Sequence, residues 1–151
     1  MALKVGERAP NFTLPSTSGK DFTLDVDLKD KPCILYFYPK DFTAVCTKEA
    51  CSFQENMEVL QEMDIDVIGI SKDSIETHHK FIEENQLTFE LLADEKGEVC
   101  KLYDALIPLV RMPKRITYLV DSNHEIVEVV DNMFSATAHI QELIEHLKKG
   151  K

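Results

Sequence analysis

The sequence predicts an α/β protein, residues 1–151 forming a single domain, with a mixed central sheet flanked by helices and a small N-terminal β-hairpin. Three observations carry that expectation. Two continuous apolar runs, residues 33–38 and 66–70, read as strands buried on both faces of a parallel sheet. Between them Ala50, Phe53, Met57 and Leu60 recur at helical spacing, so strand, helix and strand make a right-handed βαβ unit. Later, residues 116–120 and 126–130 flank Asp121-Ser122-Asn123-His124 and read as a hairpin, which requires antiparallel strands as well.

The elements follow in order. Phe12-Thr13-Leu14 and Phe22-Thr23-Leu24 alternate around Ser16-Thr17-Ser18-Gly19-Lys20, the pattern of the first hairpin. After the βαβ unit, Asp73-x-x-Glu76 reads as a capping-box start for a helix running to about Glu84. Residues 89–92 are a short strand. Residues 98–106 are a short helix with Val99, Leu102, Tyr103 and Leu106 on one face. A helix over residues 137–149 closes the chain, with the stripe Ile140, Leu143, Ile144 and Leu147 and with Lys148 and Lys149 at the negative end of its dipole.

Composition excludes several classes. The chain has 151 residues, 44% of them hydrophobic and 29% charged, as in an ordinary globular protein with a real core. A net charge of −10 leaves no basic patch to displace counterions from nucleic acid. No apolar run approaches the ~20 residues of a membrane span, and the N-terminus has no apolar signal region. The expected location is cytoplasmic. That compartment keeps thiols reduced, so the four cysteines are not a disulfide framework. Their spacing contains no C-x-x-C, which disfavours a zinc ribbon and a general dithiol oxidoreductase. His78 and His79 point to different sides of a helix, and His139 and His146 have no cysteine or carboxylate cluster beside them. No metal and no cofactor is expected.

The most informative stretch runs from Pro39 to Cys46, with Cys51 five residues on. It places a thiol just after an apolar strand and at the front of a helix. There the helix dipole and unpaired backbone N–H groups favour thiolate. At ~100° per residue Cys46 lies within about 40° of Ala50, Phe53 and Met57, so its sulfur should face inward. Cys51 lies ~140° away, off the apolar stripe. The Thr43 hydroxyl is placed to hydrogen-bond the sulfur, and the N–H groups of Val45 and Cys46 are natural donors to developing charge.

Pro39, Thr43 and Cys46 fill the active-site signature Pro-x-x-x-Thr/Ser-x-x-Cys of the peroxiredoxins, which this segment resembles. The continuation through Cys51-Ser52-Phe53 resembles the bacterioferritin comigratory, or Q-type, subgroup. Gly6-Glu7-Arg8-Ala9-Pro10-Asn11-Phe12, Leu91-Leu92-Ala93-Asp94 and the block from Arg115 to Asp121 resemble that family's other conserved stretches. The resemblance implies a thioredoxin-like fold and a thiol-dependent peroxidase acting on hydrogen peroxide and organic hydroperoxides. It implies that Cys46 is the peroxidatic residue and that Arg115 holds both sulfur and peroxide oxygen with its planar set of donors. It also implies that Pro39 shields the thiolate and that Cys51 resolves the Cys46 sulfenic acid as an intramolecular disulfide. Thioredoxin or a similar thiol is the implied reductant, and a monomer or weak homodimer is expected.

Glu49 has two readings, an orienter of Arg115 or an exposed first-turn carboxylate favoured by the dipole. Two departures from the family pattern stand out. Ala44-Val45 replaces the common Pro-Gly and should stiffen the start of the helix. Gln54 replaces a frequent Arg, which removes a local ion pair. Cys33 and Cys100 are expected to be structural. An alternative reading makes the same Cys46–Cys51 pair a redox sensor. Turnover separates the two, because a sensor reacts once and a peroxidase cycles.

Overall fold

The computed structural model describes residues 2–131 together with Leu143 and Glu145. The expected closing helix lies outside the described residues except at those two positions, where Leu143 is buried. The chain order is β1 (Thr13–Pro15), β2 (Asp21–Thr23), α1 (Leu24–Asp27), β3 (Cys33–Phe37), α2 (Ala44–Glu55), α3 (Met57–Glu62), β4 (Asp66–Ser71), α4 (Ile75–Asn85), β5 (Glu90–Ala93), α5 (Glu98–Leu102), β6 (Ile116–Val120) and β7 (Ile126–Asp131). β1 and β2 form the small antiparallel hairpin, and the other five strands form one mixed sheet in the order β5-β4-β3-β6-β7. β3, β4 and β5 are parallel, while β6 runs antiparallel to β3 and β7 antiparallel to β6.

Strand alternation sorts the core into two layers. Leu35, Phe37, Ile68, Ile70, Ile116, Tyr118 and Val120 pack on one face with the hairpin and α5 residues. Ile34, Tyr36, Tyr38, Val67, Leu91 and Leu119 pack on the other against Cys46, Ala50, Phe53 and Met57. One glycine makes this second layer possible. A Cβ at Gly69 would sit 2.8 Å from the ring of Tyr36 and 2.6 Å from Leu91. Without it the Tyr36 ring lies across β4 and stacks on Phe53 of α2 at 4.6 Å between centroids.

Several boundaries differ from expectation. The single apolar stripe through Leu60 is carried by two helices, α2 and α3, that break at Asn56. The Asn56 side chain donates to the Ser52 carbonyl at 2.8 Å, the local competition by which asparagine interrupts helices. α4 is capped by Ser74, whose Oγ accepts from the Thr77 N–H, not by Asp73. Asp73 is already engaged, accepting from the Asp41 N–H at 2.8 Å and the Ser71 hydroxyl at 2.6 Å. α5 ends at Leu102, and Leu106 instead forms an isolated bridge to Pro113. Leu24 opens α1 rather than closing β2. Among the described residues no helix is long and apolar enough to cross a membrane.

Candidate active site

The site lies at the C-terminal end of β3, the central strand of the sheet. Pro39 and Asp41 follow β3 directly, and α2 then carries Cys46 back over the second core layer. The inward phase expected for Cys46 is observed, since it is 1% exposed and packs with Ala50 and Phe53. Thr43 is the N-cap residue of α2, in extended conformation, and its carbonyl accepts from the Thr47 N–H at 2.9 Å.

Arg115 arrives from the opposite direction in sequence. Because β6 is antiparallel to β3, its start pairs with the end of β3, in the register Phe37 to Ile116. Ile116 faces the first core layer, so alternation turns the preceding residue toward α2. The Arg115 Nη2 donates to Cys46 Sγ at 3.2 Å, and Nη1 donates to Glu49 Oε1 at 2.8 Å. All three side chains are buried. This resolves the two readings of Glu49: it is the carboxylate that orients the guanidinium. Cys46 and Glu49 are three apart on one helix, so a single face presents the sulfur and the carboxylate to one arginine. Burial pushes the Glu49 carboxyl up to about 7 against the opposing pull of Arg115. Burial disfavours the Arg115 cation, but Glu49 and Cys46 beside it outweigh that and raise it.

The other expected residues are placed less directly. Pro39 is half-buried in the β3–α2 loop and borders a small cleft with Lys40, Lys72, Asp73 and Arg111. The Thr43 hydroxyl does not reach the sulfur here, because it donates its one proton to the Lys40 carbonyl at 2.8 Å. Cys51 is half-buried on another side of α2, its thiol 3.7 Å from Asn85 Oδ1 at the end of α4. The four cysteines are all free thiols. Gln54 compensates for the missing ion pair: its amide donates to the Thr88 hydroxyl at 2.9 Å and accepts from the Thr88 N–H at 2.8 Å. Cys33 and Cys100 are both buried and both raised, chiefly by burial and then by Asp66 and Asp94 respectively.

A group of residues beside the loop has no counterpart in the sequence reading. His78 is fully buried on α4, with Nδ1 2.6 Å from Asp41 Oδ2 and Nε2 2.9 Å from the Leu92 carbonyl. Tyr38 donates to Asp41 Oδ1 at 2.6 Å. Asp41, Asp73 and His78 bring metal-ligand atoms close together. In this structure these atoms bond one another and their neighbours: His78 Nδ1 bonds Asp41, and Asp73 accepts from the Asp41 N–H and the Ser71 hydroxyl. The signal for this group was the phase of His78, which precedes Phe81 by three and shares its buried face.

A buried cysteine held by a guanidinium, at a strand–helix junction of a mixed five-stranded sheet, defines a thiol-based redox protein. Residues 5–129 match the AhpC/TSA family. The chain is 39% identical over 153 residues to a bcp-type peroxiredoxin named in Coxiella burnetii, covering 97% of this chain and 100% of that one. It is 37% identical to the chloroplastic peroxiredoxin Q of Sedum lineare, covering 97% of this chain and 78% of the relative. Among solved structures it superposes on the peroxidoxin BcpB of Mycobacterium tuberculosis with a TM-score of 0.92 at 32% identity, covering 99% of each chain. A PrxQ cysteine-to-serine mutant of Xylella fastidiosa gives 0.88 at 26% identity, covering 99% of this chain and 98% of that one. The chain belongs to the AhpC/TSA family and, within it, to the peroxiredoxins of the bcp and Q type. Its sheet and hairpin are those of the thioredoxin-like peroxiredoxin fold. As a peroxiredoxin it is a thiol peroxidase, with a peroxide as substrate and a thiol as reductant.

Proposed function

We propose that this chain reduces hydrogen peroxide and organic hydroperoxides through Cys46, that Cys51 resolves the product, and that thioredoxin or a similar dithiol closes the cycle. The single observation that supports this reading best is the 3.2 Å contact between Arg115 and the Cys46 sulfur. A guanidinium there stabilises a sulfur anion and, on the same planar edge, the oxygen that takes up charge as the O–O bond breaks.

The Cys46 thiolate attacks one peroxide oxygen and the O–O bond breaks. Sulfur keeps that oxygen as sulfenic acid, and the other leaves as alkoxide or hydroxide and takes a proton. Thr43 and the backbone N–H groups at the start of α2 add donors to the departing oxygen, the Thr43 hydroxyl turning from the Lys40 carbonyl when substrate arrives. The Cys51 thiol then displaces water from the sulfenic acid, forming one S–S bond. Two electrons from a reducing dithiol restore both thiols. Pro39 has no N–H and keeps water from the sulfur.

The disulfide step requires motion. α2 is unbroken from Ala44 to Glu55, so both cysteines sit on one helix. Residues five apart in an intact helix have Cα atoms about 8.7 Å apart. A disulfide normally needs Cα atoms within about 6.8 Å. The first turn and a half of α2 therefore unravels before the bond forms, which exposes it to reductant. Amide hydrogen exchange across residues 43–54 tests this: protection should fall on oxidation and return with dithiothreitol. Unchanged protection in a protein shown by mass spectrometry to carry the Cys46–Cys51 bond would refute the mechanism. In a coupled assay with thioredoxin, thioredoxin reductase and NADPH, Cys51→Ser should stop cycling after one turnover. Wild-type cycling in that variant would remove Cys51 from the reaction.

A further inference from the structure

We propose that the buried Asp41–His78 pair is a positioning latch: it sets where α2 begins and so holds Cys46 in the geometry from which it meets peroxide. This rests on the reading of Cys46 as the peroxidatic residue and adds residues that do not touch the sulfur.

The loop between β3 and α2 is short and its backbone is unusual. Phe42 has φ of 66°, a left-handed conformation that a bulky side chain adopts only when its surroundings over-determine it. Those surroundings come from α4, the loop before it and the end of β3. Asp41, immediately before Phe42, hydrogen-bonds His78 at 2.6 Å, accepts from Tyr38, and gives its N–H to Asp73. The Phe42 ring lies edge-on to Phe81, 5.2 Å between centroids, one turn after His78 on the same helix. His78 is itself fixed at its other end by the Leu92 carbonyl of β5. The chain is thus pinned on both sides of one strained residue, and the next residue is the N-cap of α2. Cys46 follows three positions on, so a change in the φ of Phe42 would redirect the whole first turn.

The latch is also dry. Asp41, His78 and Tyr38 are each no more than 2% exposed. Charge-assisted bonds in such a site are short and directional, and they do not slip by small amounts. The pair therefore favours the closed, peroxide-reactive arrangement over the unravelled one in which Cys51 reaches Cys46. Loosening it should act on the two chemical steps in different ways. The reaction with peroxide, which needs Cys46 in place, should slow. The resolving step, which needs α2 undone, should not.

Asp41→Asn, His78→Gln and the milder Tyr38→Phe test this on the full chain. Competition with a haem peroxidase for hydrogen peroxide reads the first step. Acid quench and mass spectrometry of the Cys46–Cys51 disulfide read the second. Urea midpoints are taken alongside. A misplaced nucleophile costs up to about a hundredfold, so Asp41→Asn and His78→Gln should slow the first step by about ten- to a hundredfold and leave the second at or above its wild-type rate. Tyr38→Phe should move the first step in the same direction by less, and it keeps the test open if either larger change prevents folding. Wild-type rates at both steps with a lowered urea midpoint would make the pair merely structural and overturn the proposal. Equal slowing of both steps would overturn it too. Peroxide turnover by Cys46→Ser in the same assay would instead overturn the assignment of Cys46, which separates the two failures.

Discussion

Cys46 and Cys100 are the same residue type in nearly the same local position. Each is the third residue of its helix, and each is buried. They differ in what faces them. Cys46 meets the Arg115 guanidinium at 3.2 Å. Cys100 gives its backbone N–H to the Asp94 carboxylate at 2.7 Å, and that negative charge adds to burial in pushing its thiol up. A place near the start of a helix therefore does not by itself decide which charge a cysteine meets. The deciding charge comes from another part of the chain: an arginine at the start of an antiparallel strand in one case, an aspartate after a parallel strand in the other.

The contrast breaks most plainly by removing each thiol. Cys46→Ser should abolish peroxide turnover in the thioredoxin-coupled assay, whereas Cys100→Ser and Cys33→Ser should retain most of it. Comparable losses in the first two would erase the distinction. Weakening the cation comes next. Removing one preorganised donor typically costs ~2.7–4 kcal/mol, so Arg115→Lys should lower the second-order rate with peroxide by about 10²–10³. A wild-type rate would assign the role to another group. Thiol labelling separates the cysteines without mutation. In native protein a small alkylating reagent should modify the half-buried Cys51 first and Cys46 as the first turn of α2 opens, with Cys33 and Cys100 labelled only in urea; label at Cys100 as early as at Cys46 on a peptide map would erase the distinction.

The smallest expected effect concerns Glu49. Its carboxyl ordinarily loses its proton near 4.5 and in the fold near 7, because burial opposes the charge. Between those values the folded state binds the extra proton, so this group's contribution to stability is fully present below 4.5 and is lost as pH rises through 7. Glu49→Gln should remove that fall. Urea midpoints at several pH values would show the wild-type curve dropping relative to the variant across this window; parallel curves would mean that Glu49 stays charged throughout.

Much of this site was legible in the sequence. The phase of Cys46 with Ala50, Phe53 and Met57 placed the sulfur inside, and the apolar runs at 33–38 and 66–70 located the strands that carry the loop. Arg115 was legible through the family resemblance, and strand alternation explains its direction once β6 is paired. Asp41 and His78 were not, because they are 37 residues apart and neither lies in a local pattern that names the other. The cap of α4 lies one residue beyond the one the local pattern favours, for a similar reason. Asp73 and Ser74 are equally good caps in isolation, and only the tertiary demand of Asp41 and Ser71 on Asp73 decides between them. Asn56 carried a readable warning, since its amide competes for backbone groups.

The arginine and the cysteine it contacts are 69 residues apart, and this has a consequence in time. Chains are made from the N-terminus, and a ribosome adds about 5–20 residues each second. Cys46 therefore emerges seconds before Arg115 exists. The guanidinium reaches the sulfur only when β6 has closed on β3, and pairing of segments so distant in sequence is slowed by loop-closure entropy. A nascent or truncated chain ending before Arg115 carries the thiol without the guanidinium it contacts. The contact between Arg115 and Cys46 is thus made only after residue 115 has been added and β6 has paired with β3.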